Sequence, residues 1–334
     1  MPEALPLAER SRLPQVVIVS PYLRAANNGN WRTAERWRRA LAGVCQVRIV
    51  ADWPDRQAAA DQAMIALHAR RSAPAIAAWS AAHPGRGLAV ALTGTDLYRD
   101  IRSDAEARAA LERAQVLVTL QERAPRALPA RVRAKARVIY QSAPARAALA
   151  KTGRHLRALA VGHLRAEKSP DTLFAAARLL AGRQDILIDH GGVGLDTALA
   201  EAARATMREV PRYRWLGGLP HEAARRRIRR AHVLVHPSRM EGGAHVIIEA
   251  VVSGTPVLAS RVDGNVGMLG EDYAGYFPWG DAPALADLIR RCRDDEAFLA
   301  HLAEQCRRRA HLFLPATETA ALVGLVRDLL LAGR

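Results

Sequence analysis

Short, continuously apolar runs recur along almost the whole chain, each separated from the next by a longer stretch of helical period. The runs at 16–20, 47–50, 88–92, 116–120 and 138–140 alternate with helical patterns at 31–41, 57–69 and 104–114. The scheme then repeats: runs at 159–162, 186–189, 213–216, 232–235, 257–260 and 275–277 alternate with helical patterns at 170–181, 195–209, 221–231, 244–253 and 282–293. A strand that is apolar at every position, not at every second one, is buried on both faces. That is the mark of a parallel sheet covered by helices. The expectation is an α/β chain of two Rossmann-like, doubly wound parallel-sheet domains. Pro144, Lys151 and Gly153 break the periodicity at 141–157, which sets the expected domains at 1–150 and 151–311. A last apolar face at 317–331 (Leu322, Val323, Leu325, Val326, Leu329, Leu330) must dock on one of them.

The 334 residues suffice for two independent cores. No apolar run reaches the roughly 18 residues of a membrane span, and the first 14 residues carry charge where a secretory signal would be apolar. Three scattered cysteines, Cys45, Cys292 and Cys306, form neither a disulfide framework nor a metal-binding pair. The expected address is the cytoplasm. Charge is the unusual total: 49 basic against 33 acidic residues, net +16, with every basic residue except Lys135, Lys151 and Lys168 an arginine. The arginines are spread over the whole length without a stripe or a reading motif. Solvated charge comes first as the explanation, anionic ligands second and nucleic acid a distant third. No nucleic-acid partner and no integral membrane segment is expected.

Doubly wound sheets bind ligands at the carboxyl ends of their strands, and two such domains would share the cleft between them. Four strand ends carry suitable residues. After the first strand, Asn27-Asn28-Gly29-Asn30 offers bare backbone N–H groups before a helix, or is an ordinary βα turn. The absence of G-x-G-x-x-G argues against a nicotinamide dinucleotide. Thr93-Gly94-Thr95-Asp96 follows the strand at 88–92, where Asp96 either projects into the cleft or caps the next helix. His163-Leu164-Arg165-Ala166-Glu167-Lys168 follows the strand at 159–162, and its cations suit a diphosphate or stand as solvated loop charge. The richest stretch runs from His232 to Ala250. A loop there carries Arg239, Glu241, Gly242 and Gly243, a helix starts near Ala244, and Glu249 lies inside it, flanked by Ile247, Ile248, Val251 and Val252. A charge among those neighbours has no reason to be there unless it binds something. Paired carboxylates suit the vicinal hydroxyls of a sugar and a ribose.

These residues resemble the retaining, family-4 type of GT-B glycosyltransferases, whose hallmark is a Glu, seven residues and a second Glu, as in Glu241 and Glu249. The resemblance implies that Glu249 binds the nucleotide ribose and that Glu241 meets the transferred sugar near its anomeric carbon. It makes Gly162-His163-Leu164…Lys168 the diphosphate motif, with His163 where Arg is usual and Arg165 a substitute cation. The segment 213–219, including Leu216 and Gly217, would hold the base by its main chain. Residues 312–334 would pack on the first domain. Arg239, Gly242, Gly243 and Ala244 complete the donor-binding set.

A narrower resemblance rests on Leu67-His68-Ala69-Arg70-Arg71-Ser72, Leu92 through Ile101, Ser238 through Ala244 and Leu269 through Tyr273. These are similar to the selenosugar synthases of selenoneine biosynthesis, which join a UDP-sugar, typically UDP-N-acetylglucosamine, to the selenium of selenophosphate. The acceptor set is then Asn28, Gly29, Asn30, Arg32, Thr93 and Thr95, with Glu241, Asp96 and Lys168 as catalytic candidates. No D-x-D motif is present, so no metal or other cofactor is expected. The partners implied are the two small-molecule substrates and other enzymes of that pathway. The alternative is a conventional GT-B enzyme with a hydroxyl acceptor.

Overall fold

The computed structural model describes residues 13–23 and 29–331. The chain divides into two compact units, one running through Gln141 and resuming at Pro315, the other spanning Ser142–Leu314.

The first unit is built on a six-stranded, wholly parallel sheet in the order β2-β1-β3-β4-β5-β6. Its strands are β1 (Gln15–Val19), β2 (Gln46–Val50), β3 (Ala63–Leu67), β4 (Leu88–Ala91), β5 (Val116–Thr119) and β6 (Ala136–Val138). Helices α1 (Gly29–Leu41), α2 (Ala73–Ala82) and α3 (Ala105–Arg113) connect them. Alternate residues feed two cores. Val17, Val19, Met64, Ala66 and Val90 face α2 and α3, whereas Val16, Ile18, Ile65, Leu67 and Ala91 pack with Trp37 and Leu41 of α1.

The pattern at 57–69 predicts a helix, and the structure places β3 there instead. Ala-Met-Ile-Ala-Leu is wholly buried between β1 and β4, and only Ala58–Ala60 makes a short 3₁₀ turn. Alanines at 58–60, 63 and 66 mimic helical composition, but a central strand needs small residues on both faces as much as branched ones. The sixth strand lies at 136–138, two residues before the expected run. Helix α2 lacks a polar face in sequence and is absent from the expected set.

The second unit repeats the plan. Strands β7 (Leu156–Val161), β8 (Ile186–Gly191), β9 (Tyr213–Trp215), β10 (Val233–His236), β11 (Val257–Ser260) and β12 (Tyr276–Phe277) lie in the order β12-β11-β10-β7-β8-β9. Read from the other edge, two three-stranded halves meet between β7 and β10, the dinucleotide-fold order whose ligand crevice lies at that junction. Helices α4 (Pro170–Leu179), α5 (Thr197–Glu209), α6 (His221–Arg230), α7 (His245–Val251), α8 (Asp263–Leu269), α9 (Ala282–Asp294) and α10 (Glu296–Arg309) cover the sheet. Helices α8 and α10 are additions to the sequence reading. Aspartate side chains cap α3, α5, α9 and α10 by accepting from the third residue on.

Helix α11 (Pro315–Leu331) belongs to the first unit. Leu322, Leu325, Val326 and Leu329 join the core of Val16, Ile18 and Trp37. One buried polar contact fixes its position. The Glu318 carboxylate, 1% exposed, accepts from Trp37 Nε1 at 2.7 Å and from Arg36 Nε at 2.8 Å. Among the described residues no helix is long and apolar enough to cross a membrane.

Removing the Glu318 carboxylate would leave a buried indole N–H and a guanidinium without their acceptor. Glu318→Ala is expected to cost about 2–4 kcal/mol, seen as a lower urea midpoint in equilibrium unfolding.

Candidate active site

In the second unit the candidate residues gather at the carboxyl ends of β7, β8, β9 and β10. Three glycines lock the loops there. A Cβ on Gly192 would stand 1.9 Å from the Gly162 carbonyl oxygen. Gly192 N–H donates to the carbonyl of Gly217, itself at φ +66°, and Leu216 N–H donates to His190. The segment assigned to the base is thus stitched to the end of β8, which packs in turn on Gly162 at the start of the diphosphate motif.

Lys168 ends a short 3₁₀ turn after β7 and lays its stem in van der Waals contact over Gly162. Its Nζ donates to Glu241 Oε1 at 2.5 Å. The same oxygen lies 3.1 Å from His236 Nε2, the last residue of β10. Glu241 is 10% exposed at its side chain and His236 is buried. Burial would raise the Glu241 pKa, but the Lys168 charge and the His236 hydrogen bond outweigh it and hold the carboxyl well below its usual range. Burial pushes the His236 pKa down, against the pull of Glu241. The pocket lined by Gly162, Lys168, His190, His236 and Ser238 holds only about 10 Å³.

Backbone contacts brace the cluster. Arg239 N–H donates to the Glu167 carbonyl, joining the two loops. Ser169, next to Lys168, adopts the left-handed φ of +44°, and its Oγ accepts from Trp279 Nε1 at 2.9 Å. The Arg239 guanidinium stands 5.9 Å from the Trp279 ring centre. Gly264 of α8 presses on the Glu241 main chain so closely that a Cβ would lie 2.0 Å from its carbonyl oxygen.

Glu249 belongs to a second cluster with its own partners. It sits on α7, 5% exposed, with Oε1 2.6 Å from His221 Nε2, 3.3 Å from His245 Nδ1 and 4.0 Å from Arg225 Nε. Burial raises its pKa, but the hydrogen bonds from His221 and His245 prevail and bring it to about 2. The Nε of Arg225 is buried and has no hydrogen-bond acceptor among the described residues.

The remaining donor candidates are more open. His163 is exposed, with Nδ1 accepting from Val193 N–H at 3.1 Å. Arg165 is half-exposed and 4.0 Å from Glu167. Gly242 and Ala244 are buried, and Gly243 is half-buried, between β10 and α7.

The acceptor candidates fall in the first unit. Asn28 lies outside the described residues. Gly29 and Asn30 open α1, and Arg32 follows on its exposed side. Thr93, Thr95 and Asp96 come together after β4. Asp96 neither projects outward nor caps a helix. Fully buried, it accepts from the N–H groups of Thr93 (2.9 Å), Gly94 (2.9 Å) and Ala69 (3.0 Å). A carboxylate with three main-chain donors is committed to shaping its loop, so the geometry places Asp96 as a scaffold for Thr93 and Thr95 and not as a reacting group. Sequence reasoning left five site neighbours without a role: His68, His221, Arg225, His236 and His245. His236 and His245 flank the paired glutamates in the chain and could have been marked. His221 and Arg225 are separated from Glu249 by a helix and a strand and carry no such signal.

The family model described as "Glycosyl transferases group 1" matches residues 142–311, half of the chain and nearly all of the second unit. The chain belongs to this glycosyltransferase family. D-inositol 3-phosphate glycosyltransferase from Streptomyces avermitilis is 32% identical over 184 residues, covering 51% of this chain and 39% of the relative. Its counterpart from Corynebacterium glutamicum is 30% identical over 176 residues, covering 50% and 42%. The match therefore spans about two-fifths of these relatives' own length. Among solved structures, sucrose-phosphate synthase from Thermosynechococcus elongatus superimposes with a TM-score of 0.76 at 19% identity, covering 96% of this chain and 100% of that one. HepE of Anabaena, solved with UDP and glucose, gives 0.73 at 15% identity, covering 94% and 100%. At such identities the likeness shows the fold, and that fold is GT-B.

Two outcomes follow from this geometry. Gly264→Ala drives a Cβ into the Glu241 main chain and is expected to lower stability by about 1–3 kcal/mol in denaturant unfolding. Glu249, ordinarily near 4.5 and held at about 2 in the folded chain, adds stability above pH 4.5. That contribution drains away as pH falls toward 2. Acid titration of stability should be shallower over that window in Glu249→Gln than in the unaltered chain.

Proposed function

We propose that this glycosyltransferase is a UDP-sugar-dependent selenosugar synthase, moving a sugar, N-acetylglucosamine in the first instance, onto the selenium of selenophosphate. The observation that carries the donor half is the Lys168–Glu241–His236 cluster at the β7/β10 junction, eight positions before the separately held Glu249. In this reading Lys168 and main-chain N–H groups meet the diphosphate, Arg165 and His163 flank it, and Glu249 takes the ribose hydroxyls. Glu241 meets the sugar, and Leu216 and Gly217 hold the base by their main chain. The structures of HepE with UDP and glucose and of the pneumococcal O-GlcNAc transferase GtfA with UDP and GlcNAc support a UDP-sugar donor on this fold.

The reaction breaks the bond between the anomeric carbon and the diphosphate oxygen, which leaves with the electron pair as UDP. The selenium lone pair forms the new carbon–selenium bond. Water must then cleave the phosphorus–selenium bond, releasing phosphate and the selenosugar. Lys168 is suited to the first step because its charge is poised on Glu241 and can transfer to the departing diphosphate without a metal ion. Selenophosphate is already anionic and soft, so no strong base is required of the first unit. Support for this acceptor comes from Glu241-Gly242-Gly243 and Thr93-Gly94-Thr95-Asp96, which depart from sugar-to-hydroxyl patterns toward the selenosugar synthases. A hydroxyl acceptor is the second reading. It is favoured by the D-inositol 3-phosphate named for the curated relatives.

Mass spectrometry of an anaerobic reaction with UDP-N-acetylglucosamine and selenophosphate should show a selenium isotope pattern on the hexosamine, unaffected by EDTA. Transfer to an alcohol instead, with none to selenium, would establish the second reading. Glu249→Ala should weaken UDP binding in calorimetry. Glu241→Ala and Lys168→Ala should lower kcat by about a hundredfold or more, with Glu241→Ala sparing UDP affinity.

A further inference from the structure

His68 follows β3 directly, beside β1, where the strand order of the first sheet reverses. It is 3% exposed and holds φ at +73°, a left-handed backbone that side-chain-bearing residues rarely take. Its ring is fixed at both nitrogens. Arg71 N–H donates to Nδ1 at 3.3 Å, and Nε2 lies 3.2 Å from Thr95 Oγ1. With Nδ1 accepting, the ring proton sits on Nε2, so Thr95 Oγ1 is the acceptor of that contact. The Thr95 hydroxyl proton then has no acceptor of its own among the hydrogen bonds of the described residues, and Thr95 is only half-buried.

We propose that His68 is a positioning residue that turns the Thr95 hydroxyl outward as a donor, so that the first unit receives its acceptor substrate as an anion bearing phosphate-type oxygens. The inference rests on the reading of Thr93 and Thr95 as acceptor-side residues. The opposite polarity, with Nε2 drawing a proton through Thr95, would set an Nδ1–H against the Arg71 N–H. A doubly protonated ring has the same conflict. The carboxylates of Asp96 and Asp100 lie 4.0 and 3.9 Å from the ring nitrogens, beyond hydrogen-bond reach, and are engaged by Ala69 N–H and Arg99 Nε. Thr95 itself is held by a rigid loop. The Asp96 clamp, Gly94 at φ +137° and a π-helical turn over Asp96–Asp100 leave it little freedom. A hydroxyl acceptor would find a donor here where it needs a base. An anion finds what it needs.

The test compares His68→Asn, His68→Gln, Thr95→Val and Thr95→Ser in two assays: initial rates with UDP-N-acetylglucosamine and selenophosphate, and calorimetric titration with thiophosphate. Asn tolerates the left-handed backbone but falls short of Thr95, whereas the Gln amide reaches the position of Nε2. His68→Asn and Thr95→Val should raise the selenophosphate KM and the thiophosphate Kd about tenfold or more, with the KM for the UDP-sugar unmoved. Gln and Ser should restore most of the loss, and the Asn/Val double variant should be no worse than Thr95→Val alone. Unchanged acceptor KM and thiophosphate Kd in both single variants would overturn the proposal. So would a Gln variant as impaired as Asn while its melting temperature is normal. If the His68 variants do not fold, the Val and Ser pair at Thr95 decides alone. Thiophosphate affinity that depends on His68 and Thr95, without any turnover of selenophosphate, would uphold this inference and remove the functional reading. Turnover of selenophosphate with unaltered variants would do the reverse.

Discussion

The ion pair between Lys168 and Glu241 organises the second unit's functional end. It joins the loop after β7 to the loop after β10, the two strands at which the sheet order reverses. The Lys168 charge and the His236 hydrogen bond keep the Glu241 carboxyl ionised against the cost of its burial. The pair also has an obvious chemical use. In the proposed reading the cation would meet a diphosphate and the carboxylate a sugar hydroxyl.

Glycine is the material from which this end is made. Gly192 and Gly264 are each pressed against a neighbouring backbone, so that the loops after β7, β8 and β10 and the start of α8 lie closer than any Cβ would permit. The Glu241 main chain is therefore fixed by close backbone packing, while Lys168 and His236 hold its carboxylate. Glu249 is the contrasting case. It is held by side chains alone, two histidines and a distant guanidinium, on a helix of seven residues.

Much of this was legible in the sequence because parallel sheets announce themselves. Continuous apolar runs located eleven of the twelve strands to within three residues, and the Glu241/Glu249 spacing singled out the two buried carboxylates of the second unit. Strand β3 was misread since an alanine-rich, wholly buried run has no period to distinguish it from a helix. Helices α2, α8 and α10 were missed for related reasons: α2 is apolar almost all round, and α8 contains two glycines. Asp96 shows another limit. Its residue type and place suggest projection into the cleft or a helix cap, but three N–H groups from two loops converge on it, and one of those, Ala69, lies 27 residues away. Spacing along the chain cannot report such a convergence, and the same is true of His221 on Glu249.

Helix α11 gives the first unit a discontinuous chain. The face of its sheet that carries Val16, Ile18 and Leu67 is completed by Leu322, Leu325, Val326 and Leu329. During synthesis those residues leave the ribosome after the whole of the second unit. The half of the molecule that is made first is thus the half that finishes folding last, with an apolar sheet face waiting through some 170 residues of translation for its cover.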